Sequence, residues 1–313
     1  MEHYITIGEI IRHYRKEKGL SQAALADGIC ERKYISNIEN NKNIPTLDII
    51  NQLSERLQIN LYETYSLMLR HHDIDTHNKI DKLNLCFNQE KCENLLSLID
   101  EYEKLPGFQF GEPLQILKYA KALYLSDIQK NYTESITVAF EGISIRINFA
   151  IENVPTNIFL SNVELSLINT IGVNYCRNKQ EIEGKKYFDF LMNYLHQLFA
   201  MNHYASNRNN HFELRFLSNV VYNYFVFFRD DFDFNDENIE KTLALLKSLH
   251  CHHNLPELLL CKTYLKCKAE QLEEAKQLYT LAHSLALYLY EAQHVENIEK
   301  STLRTYYHQL TEH

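Results

Sequence analysis

Apolar residues recur at helical spacing from the first turns of the chain. Ile7, Ile10, Ile11 and Tyr14 fall three and four apart, predicting a helix from about 7 to 18, and Gly19 supplies the left-handed residue on which helices commonly end. Ser21 then caps a second helix with Leu25 and Ile29 inward, where Ala23, Ala24 and Ala26 are small enough for close helix approach. Gly28 sits where the chain must turn sharply. A third helix, from near Cys30 or Glu31 to near Asn40, points Ile35 and Ile38 inward. A fourth follows Pro45 over 46–58, with Leu47, Ile50, Leu53 and Leu57 inward, and Leu61, Tyr62 and Tyr65 extend the apolar series.

This pattern leaves the outer side of the third helix polar. Glu31 opens that side, and Arg32, Lys33, Ser36 and Asn37 follow on it. Arg and Asn can each make paired hydrogen bonds to base edges in the major groove of DNA, while Lys reaches bases or phosphates. Gln22, at the positive end of the second helix, and Lys42, past the third, are better placed for phosphate. Tyr34 stays open between touching a thymine methyl and covering its own helix.

Residues 5–65 resemble the XRE, or lambda-repressor-like, family of helix-turn-helix DNA-binding domains. The matching residues are Gly19-Leu-Ser-Gln22, Leu25-Ala26, Ile35-Ser36, Ile38-Glu39, and Pro45 followed by Leu47 and Leu53. The resemblance implies that Glu39 pairs with Arg15 to hold the first and third helices together. Gly28-Ile29-Cys30 shortens the turn in the manner of PlcR- and Rgg-type pheromone receptors.

Residues 66–80 read as a polar linker, and from 81 to 313 strand signals are absent. With only 8 glycines in the chain, long helices joined by short breaks are expected, the breaks near 106–113, 127–132, 152–157, 177–181, 203–211, 230–236, 252–256 and 268–271. Ile168-Asn-Thr-Ile-Gly172-Val-Asn-Tyr175, with Gly184, Tyr187 and Leu191 after it, resembles a tetratricopeptide repeat. Aligning the small-residue position on Ser135, Gly184, Asn238 and Ala275 gives spacings longer than the usual ~34 residues. The expected fold is therefore all-α: a lambda-repressor-like head over 1–65, then a tetratricopeptide-like α-solenoid.

Stacked helices of such a solenoid line a groove suited to an extended peptide. Asn169 and Asn223 fall on the groove-facing position, Asn219 extends the row, and Val173 and Phe227 offer apolar contacts. An Asn amide can satisfy both an N–H and a C=O of a peptide backbone. Equally, these asparagines can cap or solvate helices. The whole chain resembles the PlcR/Rgg group of peptide-pheromone receptors. That implies a homodimer on a two-fold-related DNA operator, its DNA binding set by a short signalling peptide. Lys118, Arg146, Arg215 and Lys262 all remain open as receivers of the peptide carboxylate.

Net charge changes the picture in one respect. The chain carries −9, but residues 1–65 hold 8 Lys/Arg against 9 Asp/Glu, so almost all of the excess lies in the larger part. An acidic body weakens nonspecific attachment to DNA and suits a site-specific regulator rather than a coater. Seven scattered cysteines are compatible with free thiols in a reducing compartment. His250-Cys251-His252-His253 lacks the paired spacing of a closed zinc site, so no metal or cofactor is expected. The longest apolar stretch, 220–228, is too short to span a membrane, and no targeting signal opens the chain, which places the protein in the cytoplasm. Motifs of zinc proteases, phosphate loops and serine hydrolases are missing, so an enzyme is not expected. The competing reading keeps the repeats but gives them a folded protein partner instead of a peptide.

Overall fold

A computed structural model describes residues 6–61, 74–87, 94–151, 159–200, 211–231, 234 and 236–311; the described residues contain no strand. Tyr62, Tyr65, and the predicted breaks at 152–157 and 203–210 lie outside them. The chain divides into two compact units, Met1–Glu90 and Lys91–His313.

The first unit opens with α1 (Ile7–Glu17), α2 (Gln22–Ala26), α3 (Arg32–Glu39) and α4 (Leu47–Leu57). Thr6 and Glu9 bond reciprocally to each other's backbone N–H at the start of α1, at 3.2 and 2.9 Å, satisfying donors the helix leaves orphaned. Its core is Ile10, Ile11, Leu25, Ile35, Ile38, Leu53, Leu57 and Leu61, all essentially inaccessible. Two expectations need correction. Leu47 is 64% exposed, because it is the first residue of α4 and projects past the edge of the core that Ile50, Leu53 and Leu57 complete. Ala23 and Ala24 are exposed as well, leaving Ala26 alone of the three buried. Within the expected linker, residues 74–80 form the first half of α5 (Ile74–Phe87).

The second unit begins with α6 (Leu95–Tyr102) and a single 3₁₀ turn at Pro106–Phe108. Antiparallel hairpins follow: α7 (Gly111–Leu123) with α8 (Tyr132–Ser144), α9 (Asn162–Arg177) with α10 (Glu181–Ala200), α11 (His211–Phe228) with α12 (Glu237–Ser248), and α13 (Leu255–Lys268) with α14 (Leu272–Leu289). Two more helices, α15 (Ala292–Leu303) and α16 (Tyr307–Thr311), close the described chain. Helices α7, α9, α11, α13 and α15 each touch the next, and each intervening helix packs on the helix before it and the one after. Contact mainly between neighbours is the pattern of a solenoid.

Small residues set the hairpins. A Cβ on Gly184 would lie 2.8 Å from Gly172 O, so only glycine permits this approach of α10 to α9. Ser135 and Ala275 occupy the same place in their hairpins and are fully buried. Asn238 does not: it is half-buried, and Ile239 beside it takes the core position at 2% exposure.

Two buried charges of this unit are held by networks of hydrogen bonds. Glu164, fully buried, accepts from Arg146 Nε at 2.6 Å, Gln115 Nε2 at 3.3 Å and Ser161 N at 2.8 Å, joining α7, α9 and the end of α8. At the end of α11, Arg229 is 1% exposed and donates to the carbonyls of Thr302 at 2.8 Å and Ser301 at 3.0 Å, the last turn of α15. Phe225 and Tyr264 cover its guanidinium at 5.3 and 5.2 Å. Among the described cysteines five are free, whereas Cys86 in α5 is disulfide-bonded, contrary to the all-thiol expectation.

Candidate functional site

The α2–α3 corner is shaped by backbone chemistry. Gly19 and Gly28 both take positive φ, 66° and 69°, and Ser21 Oγ accepts from Ala24 N at 3.0 Å to cap α2. Arg56 of α4 closes the other end of α2, donating to the carbonyls of Ala24, Leu25 and Asp27. Ile35 and Ile38, fully buried, fix the rotation of α3 and so decide which of its side chains face outward.

Arg15 forks onto Glu39 through Nε at 2.5 Å and Nη2 at 2.9 Å, and Gln22 Nε2 adds a third bond at 3.0 Å. Burial alone would raise the Glu39 carboxyl, but the bonds from Arg15 and Gln22 and the charges of Arg15 and Arg12 outweigh it and hold the pKa below its ordinary value. The implied Glu39–Arg15 pair is thus present in the structure, and Gln22, expected at phosphate, also braces it. Arg12 lies 3.5 Å from the same carboxylate and donates to Asn40 at 3.2 Å.

The outer side of α3 is different. Arg32 and Lys33 are exposed, Ser36 and Asn37 half-buried, and Lys42 is exposed just beyond the helix. The side chains of Arg32, Lys33, Asn37 and Lys42 have no hydrogen-bond or ion-pair partner among the described residues. Ser36 Oγ receives only a long 3.5 Å bond from Asn40, and Glu31 stands at the head of α3 without capping it. Inner cations are neutralised or tied to carbonyls; outer ones are unspent. Two apolar residues on either side of Pro45 are exposed, Ile44 at 86%, which the sequence did not single out, and Leu47 at 64%, which it placed inward.

Residues 11–63 match the family model described as Helix-turn-helix. This segment is a helix-turn-helix domain. No curated protein matches the chain. Among solved structures, the chain is similar to apo PlcR of Bacillus thuringiensis, 17% identical with a TM-score of 0.54 over 96% of this chain and 98% of that one. It is similar to ComR of S. thermophilus in complex with DNA and its signalling peptide ComS, at 17%, 0.52, 95% and 99%. PlcR in complex with the peptide PapR7 and DNA gives 19%, 0.50, 98% and 95%. The likeness establishes the fold: a helix-turn-helix domain followed by helical repeats.

In those repeats Asn169 and Val173 lie on α9, and Asn219, Asn223 and Phe227 on α11, which touches α9. All are half-buried. Asn169 Oδ1 is buried without a hydrogen-bond partner. Phe227 is partly engaged, its ring 6.1 Å from that of Phe188 on α10. Of the four open cations, Lys118 pairs with Glu141 at 2.6 Å, Arg146 with Glu164, and Lys262 with Glu240 at 2.7 Å. Arg215 is exposed, has no ion pair among the described residues, and precedes Asn219 by one helical turn. Around His250–His253, no group among the described residues is arranged to hold a metal. No described helix is long and apolar enough to cross a membrane.

Proposed function

We propose that this chain is a sequence-specific transcription regulator whose repeats bind a short signalling peptide that controls the DNA binding of a homodimer. One observation carries the DNA reading: the basic side chains on the outer face of α3 have no partners, while those behind it are tied to Glu39 or backbone carbonyls. Arg32, Lys33, Ser36 and Asn37, with Glu31 at their head, take the base edges; Lys42 and the rim at Gln22 take phosphate. Arg32→Ala should cost about 1–3 kcal/mol of operator affinity and relax one base preference, read by titrating labelled operator variants. Unchanged affinity and preference would remove this face from the reading.

The peptide reading is supported by the fold it shares with PlcR and ComR, each solved with DNA and a peptide. It is also supported by the orphaned Asn169 Oδ1 and by the row on α11. Arg215, the one candidate cation not already paired, receives the peptide carboxylate, and Asn219 and Asn223 hold its backbone. The head spans 1–65, the linker 66–80 and the peptide-binding and dimerising repeats 81–313, in a cytoplasmic protein. A peptide that prefers one dimer arrangement shifts the population by its differential affinity, and operator affinity follows. Mass spectrometry of short peptides carried by protein isolated from its own cells tests this. So does the loss of their capture on Asn223→Ala.

A further inference from the structure

Arg215 differs from the other candidate cations of the repeats in what stands beside it. Lys118, Arg146 and Lys262 each meet a carboxylate, in a part of the chain where acids outnumber bases. The group beside Arg215 is instead His253, from the connector between α12 and α13. Because α11 and α12 run antiparallel, that connector returns to the level of the first turns of α11, and α13 packs on α11 from there. The connector is held in place. Cys251 is buried and donates its N–H to Leu246 O at 2.9 Å, Leu255 N donates to His252 O at 3.2 Å, and Asn254 turns the chain at φ 53°. The Asn254 N–H also reaches the Tyr290 hydroxyl at the end of α14.

On this braced turn the His253 ring has no hydrogen-bond or ion-pair partner among the described residues, and neither has the Arg215 guanidinium; both side chains are exposed. Partial enclosure of the ring, and then the charge of Arg215, hold the His253 pKa below its ordinary value. Arg215 is the one charged group among the described residues that acts on it. Glu257, one turn into α13, is engaged by the Tyr290 hydroxyl, and the neighbouring His250 and His252 are exposed. Two cation-formers set side by side with no anion carry a repulsion that a bound anion relieves. We propose that Arg215 and His253 together receive the free C-terminal carboxylate of the bound peptide, and that its arrival charges His253. The inference rests on the peptide-binding reading and deepens it: the ligand class is a peptide with an unblocked C-terminus, and its binding takes up a proton. The guanidinium forks onto the carboxylate, the imidazolium donates one N–H to it, and Asn219, one turn along α11, meets the last peptide unit. By linkage the bound His253 titrates higher than the free one. Binding is therefore tightest below the free-state pKa and weakens as pH rises through the bound-state value.

Competition between two pools of short random peptides tests it, one pool with free C-terminal carboxylates and the other amidated. Both are offered to the full chain, and the captured peptides are counted by mass spectrometry at about pH 6 and about pH 8, either side of the ordinary histidine value. The amidated pool keeps its Asp and Glu side chains, so it separates a terminal carboxylate from a side-chain one. The free-acid pool should be favoured about tenfold at the lower pH, the equivalent of one pKa unit, and less at the higher. His253→Gln, with helicity unchanged by circular dichroism, should lose most of that preference and all of its pH dependence. His253→Lys, charged at both pH values, should keep the preference at both. A folded His253→Gln variant that discriminates acid from amide as the wild type does overturns the proposal. Equal capture of the two pools sinks the carboxylate subsite and leaves the peptide reading standing; capture of neither takes down both.

Discussion

Glu39 decides how the reading helix is held. It is 1% exposed and joined to Arg15 and Gln22, so neutralising it leaves the Arg15 guanidinium without its counter-charge and sets an amide N–H against it. Glu39→Gln should cost about 3 kcal/mol, at the lower end for breaking a buried pair, read as a shift in the urea midpoint of the N-terminal unit. The pH dependence follows from the direction of the shift. A carboxylate held below its ordinary pKa contributes its full stabilisation above the unfolded-chain value of about 4.3. That contribution is lost as pH falls through the lower folded value. The midpoint should therefore drop more steeply on acidification in the wild type than in Glu39→Gln.

Helices and their joints show where sequence is informative. Gly19, Ser21 and Gly28 were legible because each has a local backbone task that no neighbour can take over. The breaks at 178–180 and 269–271 were legible for the same reason, Lys179 and Glu270 ending their helices at positive φ. The break at Tyr290–Glu291 was not foreseen, because neither residue is a helix breaker. Leu47 fitted the apolar period yet lies outside, since periodicity gives direction around a helix but not the depth of the core beneath its first turn. Among the candidate contacts, the outer face of α3 could be read from Ile35 and Ile38 alone. The ion pairs that single out Arg215 join distant residues and could not. Gly184→Ala tests the hairpin argument: its methyl would meet Cys176 Sγ at 2.4 Å as well as Gly172 O. The variant should lose about 1–3 kcal/mol of repeat-unit stability in a thermal melt. Asn238→Ala, outside the core register, should stay within about 0.5 kcal/mol.

Across the molecule, charge is divided between a nearly neutral head and an acidic remainder. Affinity for DNA of any sequence should accordingly be low and fall steeply with salt, about 0.9 in log–log slope per phosphate contacted. Lys42→Ala should reduce that slope by about 1 while leaving operator preference intact, measured by titrations across a salt series. Arg32→Ala should alter preference as well as slope, which separates the two kinds of contact.

The grip of Arg229 on the carbonyls of Ser301 and Thr302 gives the final helices a standing in the interior. Truncation just ahead of Ser301 does not trim a loose tail; it strands a positive charge among Phe225, Tyr264 and their neighbours with no acceptor left. A shortened protein should come out of cells insoluble, and changing the stranded arginine to methionine in the same truncation should recover part of it.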